Sequence, residues 1–150
     1  MGVNHDTLSR LALVARSRGA EFLALGGDLV SGYTSVVDDF STQLRAWRQS
    51  VAGYWSERPI YSCMGNHEAL LRVFEGASVD RWPYDTQSAE AVFASIFVHP
   101  RNGPKPSDGR RPSYIENAYS YTYGLVKMIS FNNLRVDSDP GRLAAGSYVE

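Results

Sequence analysis

Two short apolar segments, each ended by glycine and then by polar side chains, constrain this fold more than any other feature of the sequence. Residues 22–25 lead into Gly27-Asp28, and residues 60–64 lead into Gly65-Asn66-His67-Glu68. Apolar runs of this length that end at glycine predict buried strands. Ligands of open α/β sheets bind beyond the carboxyl ends of the strands. If the two strands are parallel neighbours, Asp28 and Asn66 therefore lie on one rim.

Helical patterns flank both strands. The first predicted helix begins at Asn4 or Asp6, either of which can accept a backbone N–H at a helix start, and it ends at Gly19. Apolar side chains spaced by three and four residues predict a second helix over residues 36–51, ended by Gly53. Residues 89–97 predict a further helix. A short helix is also expected to begin at Glu68.

The rest of the chain predicts a long loop, a hairpin and an irregular tail. Proline and glycine prevent regular structure over residues 99–109. Residues 119–123 alternate tyrosine with small polar side chains, Gly124 is a turn, and residues 125–131 form a second strand. We expect the tyrosines to make one packed face. Residues 134–150 have no strong period.

Composition restricts the class of protein. A chain of 150 residues with 43% hydrophobic side chains is expected to form one globular domain. Its 15 basic and 16 acidic residues give a net charge of −1 without a long run of either sign, so there is no nucleic-acid signature. One cysteine excludes an internal disulfide. No apolar run approaches the ~18 residues that a membrane-spanning helix needs.

Gly27-Asp28 followed by Gly65-Asn66-His67-Glu68 resembles the calcineurin-like metallophosphoesterase family. That family has five blocks in order: Asp-x-His, Gly-Asp, Gly-Asn-His-Asp/Glu, a lone His, and Gly-His-x-His. This sequence carries the second and third. His5 does not replace the first block, because no strand precedes it. His99 is not expected to be a metal ligand, because it follows a predicted helix instead of a strand and leads into Pro100. The resemblance implies that residues 1–150 are a partial domain, a fragment of the four-layer α/β/β/α sandwich without its first strand and its C-terminal half.

The resemblance also implies a chemistry. It makes the protein a hydrolase of phosphate mono- or diesters that uses two divalent or trivalent metal ions, of Mn, Fe or Zn, to activate water. Asp28 would bridge the two ions and Asn66 would give its amide oxygen to one of them. His67 would be the general acid that protonates the leaving oxygen. Glu68 would orient His67, raise the pKa of His67 as a nearby negative charge, or cap a helix. Two ligands do not hold a dinuclear centre, so residues 1–150 are expected to bind metal weakly and to be inactive alone.

Two other functions remain open. A degenerate relative would do no chemistry and would bind a partner through the loop at residues 99–109 or through the tyrosine face. A serine or cysteine hydrolase that uses His67 ranks last, because the sequence has no Gly-x-Ser-x-Gly nucleophile elbow. We also expect self-association, because the strand at residues 21–25 would have an uncovered edge without the strand that precedes it in the family.

Overall fold

The two glycine-ended segments form neighbouring parallel strands. The computed structural model describes residues 3–73, 78–79, 85–105 and 113–132. In it, β1 (Leu23–Leu25) pairs in parallel with β2 (Ile60–Ser62), and Leu25 lies opposite Ser62. Both strands therefore end at the same edge of the sheet, as the sequence predicted.

Four helices lie in the described residues, and two of them have side-chain caps. Helix α1 (His5–Ser17) begins after Asn4, whose side chain accepts the backbone N–H of Thr7, which confirms one of the two predicted caps. Helix α4 (Ala89–Ile96) begins after Ser88, whose side chain accepts the N–H of Ala91. Between them lie α2 (Val37–Ser50) and the short α3 (Ala52–Trp55).

The predicted end of the second helix at Gly53 is wrong. Helix α2 ends at Ser50, and Gly53 lies inside α3. The residue between the two helices, Val51, has φ −106° and ψ 6°, a bridge-region conformation that bends the chain without glycine. Val51 is itself buried, so packing holds this bend.

Helices cover one face of the β1–β2 pair. The core joins the apolar faces of α2 and α4 to β2, and its most deeply buried members include Phe40, Leu44, Trp47, Ile60 and Phe93. Each such side chain stabilises the fold by about 1.5–3 kcal/mol relative to an exposed position. The spacing of apolar residues in the sequence predicted this face correctly.

A hairpin of residues 119–130 contacts the side of β2 that Tyr61 occupies. β5 (Tyr119–Tyr123) pairs antiparallel with β6 (Val126–Ser130), and Gly124 turns the chain with φ 57°. Tyr121 stacks on Tyr61 with ring centroids 3.7 Å apart, and both lie near Phe22. The tyrosines thus form a packed face, as expected. The mixed arrangement of helices and small sheets confirms the predicted α/β class.

The helix expected from Glu68 is absent from the described residues, and a strand follows instead. β3 (Leu71–Val73) pairs antiparallel with β4 (Ser78–Val79). Just before β3, Leu70 makes a parallel bridge to Thr34, which draws the chain into an extended path. This tertiary contact overrides the local helical preference of the segment.

Residues 98–105 have no helix or strand, in agreement with the predicted loop. The rest of that loop from residue 106, and the predicted tail at residues 134–150, lie outside the described residues. Within the described part of the chain, no helix combines the length and the apolar character that crossing a membrane requires.

His99 is a buried structural residue. Its Nδ1–H donates to the carbonyl oxygen of Glu116 at 3.0 Å, and its Nε2 accepts the backbone N–H of Ser62 at 3.3 Å. Its ring stacks on Tyr119 with centroids 4.7 Å apart. Both nitrogens are therefore engaged in the core. Burial lowers the pKa of His99 to about 4, against an opposing contribution from the hydrogen bond to Glu116.

Because His99 is neutral when folded, stability should depend on pH below the pKa of an unfolded histidine. Above about pH 6.5 neither state is protonated at this residue. As the pH falls from 6.5 to about 4, the unfolded chain takes up the proton first, and the free energy of unfolding falls by about 3 kcal/mol.

Urea unfolding followed by circular dichroism measures this loss. His99→Gln should flatten the curve over that interval, while His5→Gln, on an exposed helix end, should not. An unchanged slope in His99→Gln would contradict the assignment.

Candidate metal centre

The buried carboxylate of Glu68 joins the two loops that follow β1 and β2. Its Oε2 accepts the backbone N–H of Asp28 at 2.8 Å and of Gly65 at 2.7 Å. Its Oε1 accepts the N–H of Leu29 at 2.7 Å and of Val30 at 3.2 Å. One side chain thus satisfies backbone donors from both loops, and it fixes them relative to each other.

This position differs from the orienting and helix-capping roles expected for Glu68. The carboxylate contacts backbone N–H groups rather than the His67 ring, and the described residues 69–73 that follow it form no helix. Burial raises the pKa of Glu68, and the four backbone donors oppose that rise. This role could not be predicted from the sequence, because backbone donors leave no signal in it.

Asp28 lies directly against the loop that follows β2 and carries Asn66. Its backbone adopts φ 54°, a left-handed conformation that aspartate tolerates better than most residues. Its Oδ1 accepts the backbone N–H of His67 at 3.1 Å. A Cβ on Gly65 would collide with that same Oδ1, and a Cβ on Gly27 would collide with the Gly65 backbone. Glycine at both positions is what allows the two loops to approach this closely.

The other two predicted site residues emerge on the same rim. Asn66 is exposed, and its Nδ2 donates to the hydroxyl of Tyr33. The Nδ1 of His67 lies 2.9 Å from the carbonyl oxygen of Ser31. Because a carbonyl oxygen only accepts, Nδ1 carries the proton, and Nε2 is the nitrogen left for chemistry. The structure therefore brings Asp28, Asn66 and His67 together.

Two further residues contribute to this rim without having been indicated by a sequence motif: Tyr33, in the loop after β1, and Gln43, in α2. The backbone N–H of Tyr33 donates to the His67 carbonyl oxygen at 3.2 Å, and the Tyr33 ring centroid lies 4.5 Å from that of His67. Gln43 of α2 accepts the N–H of Gly32 at 3.0 Å and donates to Asp39 at 3.1 Å. The contacts of Tyr33 with His67 and of Gln43 with Gly32 join separate elements, so they have no local pattern by which a sequence reveals them.

The ligand set at this rim is oxygen-rich and small. Asp28 offers a carboxylate and Asn66 an amide oxygen, both of which suit divalent metal ions. Among the described residues, no group of three or more His, Cys, Asp or Glu side chains converges in a way that could hold a metal ion. Of the three histidines in the chain, His5 hydrogen-bonds Ser50 and His99 is buried in the core. The residues present thus fit part of a metal centre.

The chain belongs to the calcineurin-like phosphoesterase family, whose model matches residues 2–138. The match includes both strands, both glycine-ended loops and the hairpin. Members of this family are metal-dependent phosphoester hydrolases, and divalent metal ions are their usual cofactors. No curated protein and no solved structure matched the chain.

Replacing Glu68 tests whether its carboxylate holds the two loops. Glu68→Gln keeps the size of the side chain, but it presents amide N–H groups to backbone donors. We expect a loss of about 3 kcal/mol in the free energy of unfolding, because buried N–H groups lose their acceptors. The midpoint of urea unfolding measures this loss.

Glu57→Gln is the matched control. Glu57 pairs with Arg16 at the surface, where both side chains are 46% exposed, so its loss should change stability by less than about 1 kcal/mol. Equal effects of the two substitutions would show that Glu68 makes no special contribution.

Proposed function

We propose that this protein hydrolyses phosphate mono- or diesters, with Asp28 and Asn66 as metal ligands and His67 as the general acid. The observation that carries the proposal is the hydrogen bond from the His67 backbone to Asp28 Oδ1 at 3.1 Å. This contact supports the proposal because it joins the loop after β1 to the loop after β2, so that His67 and Asp28 are neighbours. Membership of the phosphoesterase family supports the same reaction class.

Each residue has a distinct part in this proposal. Asp28 and Asn66 would hold the metal ions through their side-chain oxygens. When bound, these ions supply charge neutralisation at the phosphate oxygens and activate water as the nucleophile. The Nδ1–H of His67 is held by the Ser31 carbonyl oxygen. A second proton on Nε2 can therefore be delivered to the leaving oxygen without rotation of the ring.

Two side-chain ligands are too few for a dinuclear centre. We therefore propose that residues 1–150 form part of a catalytic domain whose remaining ligands come from other segments. The metals would be two ions of Mn, Fe or Zn. The alternative is a non-catalytic relative that binds a partner through the loop at residues 99–109 or through the tyrosine face. Phosphatase assays on the protein expressed from its full open reading frame, with Mn²⁺ added, separate the two. Metal-dependent turnover that disappears in Asp28→Ala supports the enzyme, and absence of turnover supports the alternative.

His67 can be tested by comparing leaving groups in that full-length protein. An alkyl phosphate leaves as a strongly basic alkoxide, whereas an activated aryl phosphate leaves almost unaided. For His67→Asn we expect kcat to fall by about 10²–10⁴-fold with the alkyl ester, and clearly less with the aryl ester. Metal content should stay near that of the wild type, because Asp28 and Asn66 are unchanged.

Asp28→Ala is the control for this comparison. It should reduce turnover of both esters alike, since both need the metal ions. If His67→Asn lowers both rates by the same factor while the metals remain bound, His67 positions the phosphate instead of donating a proton.

We also propose that β1 can pair with a second chain. Among the described strands β1 pairs with β2, and Leu23 N–H and the Leu25 carbonyl face β2. The N–H of Ala24 therefore faces the opposite edge. Sedimentation velocity of residues 1–150 should show association that increases with concentration. Ala24→Pro removes that N–H and should weaken association, whereas Ala24→Ser should not. A monomer at all concentrations would contradict the proposal.

A further inference from the structure

Tyr33 contacts both polar residues of the Asn66-His67 pair. Its hydroxyl oxygen accepts the Nδ2–H of Asn66, and its ring centroid lies 4.5 Å from that of His67, with the ring planes 54° apart. Its backbone N–H donates to the His67 carbonyl oxygen at 3.2 Å. One residue thus holds the expected neutral ligand and the expected general acid.

The backbone conformation of Tyr33 is strained. Tyr33 has φ 49°, in the left-handed region that residues with a bulky side chain rarely adopt. The preceding Gly32 has φ 52°, and a Cβ there would collide with the His67 carbonyl oxygen. A second glycine at position 33 would relieve the strain. The presence of an aromatic residue in a left-handed conformation favours a role for its side chain.

The hydrogen bond to Tyr33 determines how the Asn66 amide is turned. The amide oxygen and nitrogen of asparagine are attached to the same carbon on opposite sides. With Nδ2 bound to the phenol, Oδ1 is directed away from Tyr33. A metal ligand must present its oxygen, so a fixed amide orientation removes the cost of reorienting it when metal binds.

We propose that Tyr33 is a positioning residue of the metal centre, which orients the Asn66 amide through its hydroxyl and supports His67 with its ring. This inference rests on the proposed function, because it assigns Asn66 as a ligand. Residues that hydrogen-bond metal ligands typically contribute 10–100-fold to metal affinity.

The test uses the protein expressed from its full open reading frame and Mn²⁺, whose free concentration is measured by electron paramagnetic resonance. Tyr33→Phe removes the hydroxyl and keeps the ring, so it preserves the contact with His67. We expect its Mn²⁺ dissociation constant to rise about tenfold. In the metal-free protein, the side-chain amide signals of Asn66 in ¹H–¹⁵N spectra should shift as the hydrogen bond is lost.

Tyr123→Phe is the matched control. Tyr123 is 48% exposed, close to the 44% of Tyr33, and its hydroxyl also bonds a side chain, that of Glu21. This substitution should change neither the Mn²⁺ affinity nor the Asn66 signals. Tyr33→Gly is a second variant, which relieves the backbone strain. It should bind Mn²⁺ at least as weakly as Tyr33→Phe, although the protein is no less stable.

The outcomes separate the inference from the function on which it rests. If Asp28→Ala abolishes Mn²⁺ binding but Tyr33→Phe stays within twofold of the wild type, the role of Tyr33 is wrong and the metal centre stands. If the wild type binds Mn²⁺ no better than Asp28→Ala, the metal centre itself is wrong, and the inference falls with it. Unshifted Asn66 amide signals in Tyr33→Phe overturn the inference in either case.

Discussion

The rim of this protein depends on one buried carboxylate that accepts four backbone N–H groups. Loops that leave a sheet through glycine carry N–H groups without ladder partners, and buried N–H groups need acceptors. A carboxylate offers about four acceptor sites, whereas a side-chain amide oxygen offers about two. Glutamate is therefore one of the few residue types whose side chain can accept hydrogen bonds from both loops at once.

The close approach that Glu68 imposes explains several other residues. With the loops in contact, Gly27 and Gly32 have no room for a Cβ, because the backbones of Gly65 and His67 occupy that space. The same approach brings the Asp28 carboxylate to the His67 N–H. Gln43 of α2 then ties the far side of the first loop to the helix. Each contact follows from the one before it, starting at Glu68.

The sequence predicted the parts of this rim that have a local pattern, and it missed those that do not. Both strands, the N-cap at Asn4 and the hairpin follow from periodicity and turn residues, and the two motifs placed Asp28 and Asn66 on one edge. The binding of Glu68 to backbone donors 38 to 40 positions away has no such pattern. The same holds for Tyr33 and for the bridge between Thr34 and Leu70, which replaced a predicted helix with a strand.

The two carboxylates at this rim, Glu68 and Asp28, lie in different surroundings. Glu68 is fully buried and four backbone N–H groups compensate its charge, whereas Asp28 is exposed and its Oδ1 accepts the backbone N–H of His67. A charge that is already compensated attracts a metal ion less than an uncompensated one at similar distance. Asp28 is therefore the carboxylate suited to coordinate metal, and Glu68 the one suited to hold the loops. A single Gly-Asn-His-Glu motif thus contributes the proposed ligand, the proposed proton donor and the structural link that keeps both beside Asp28.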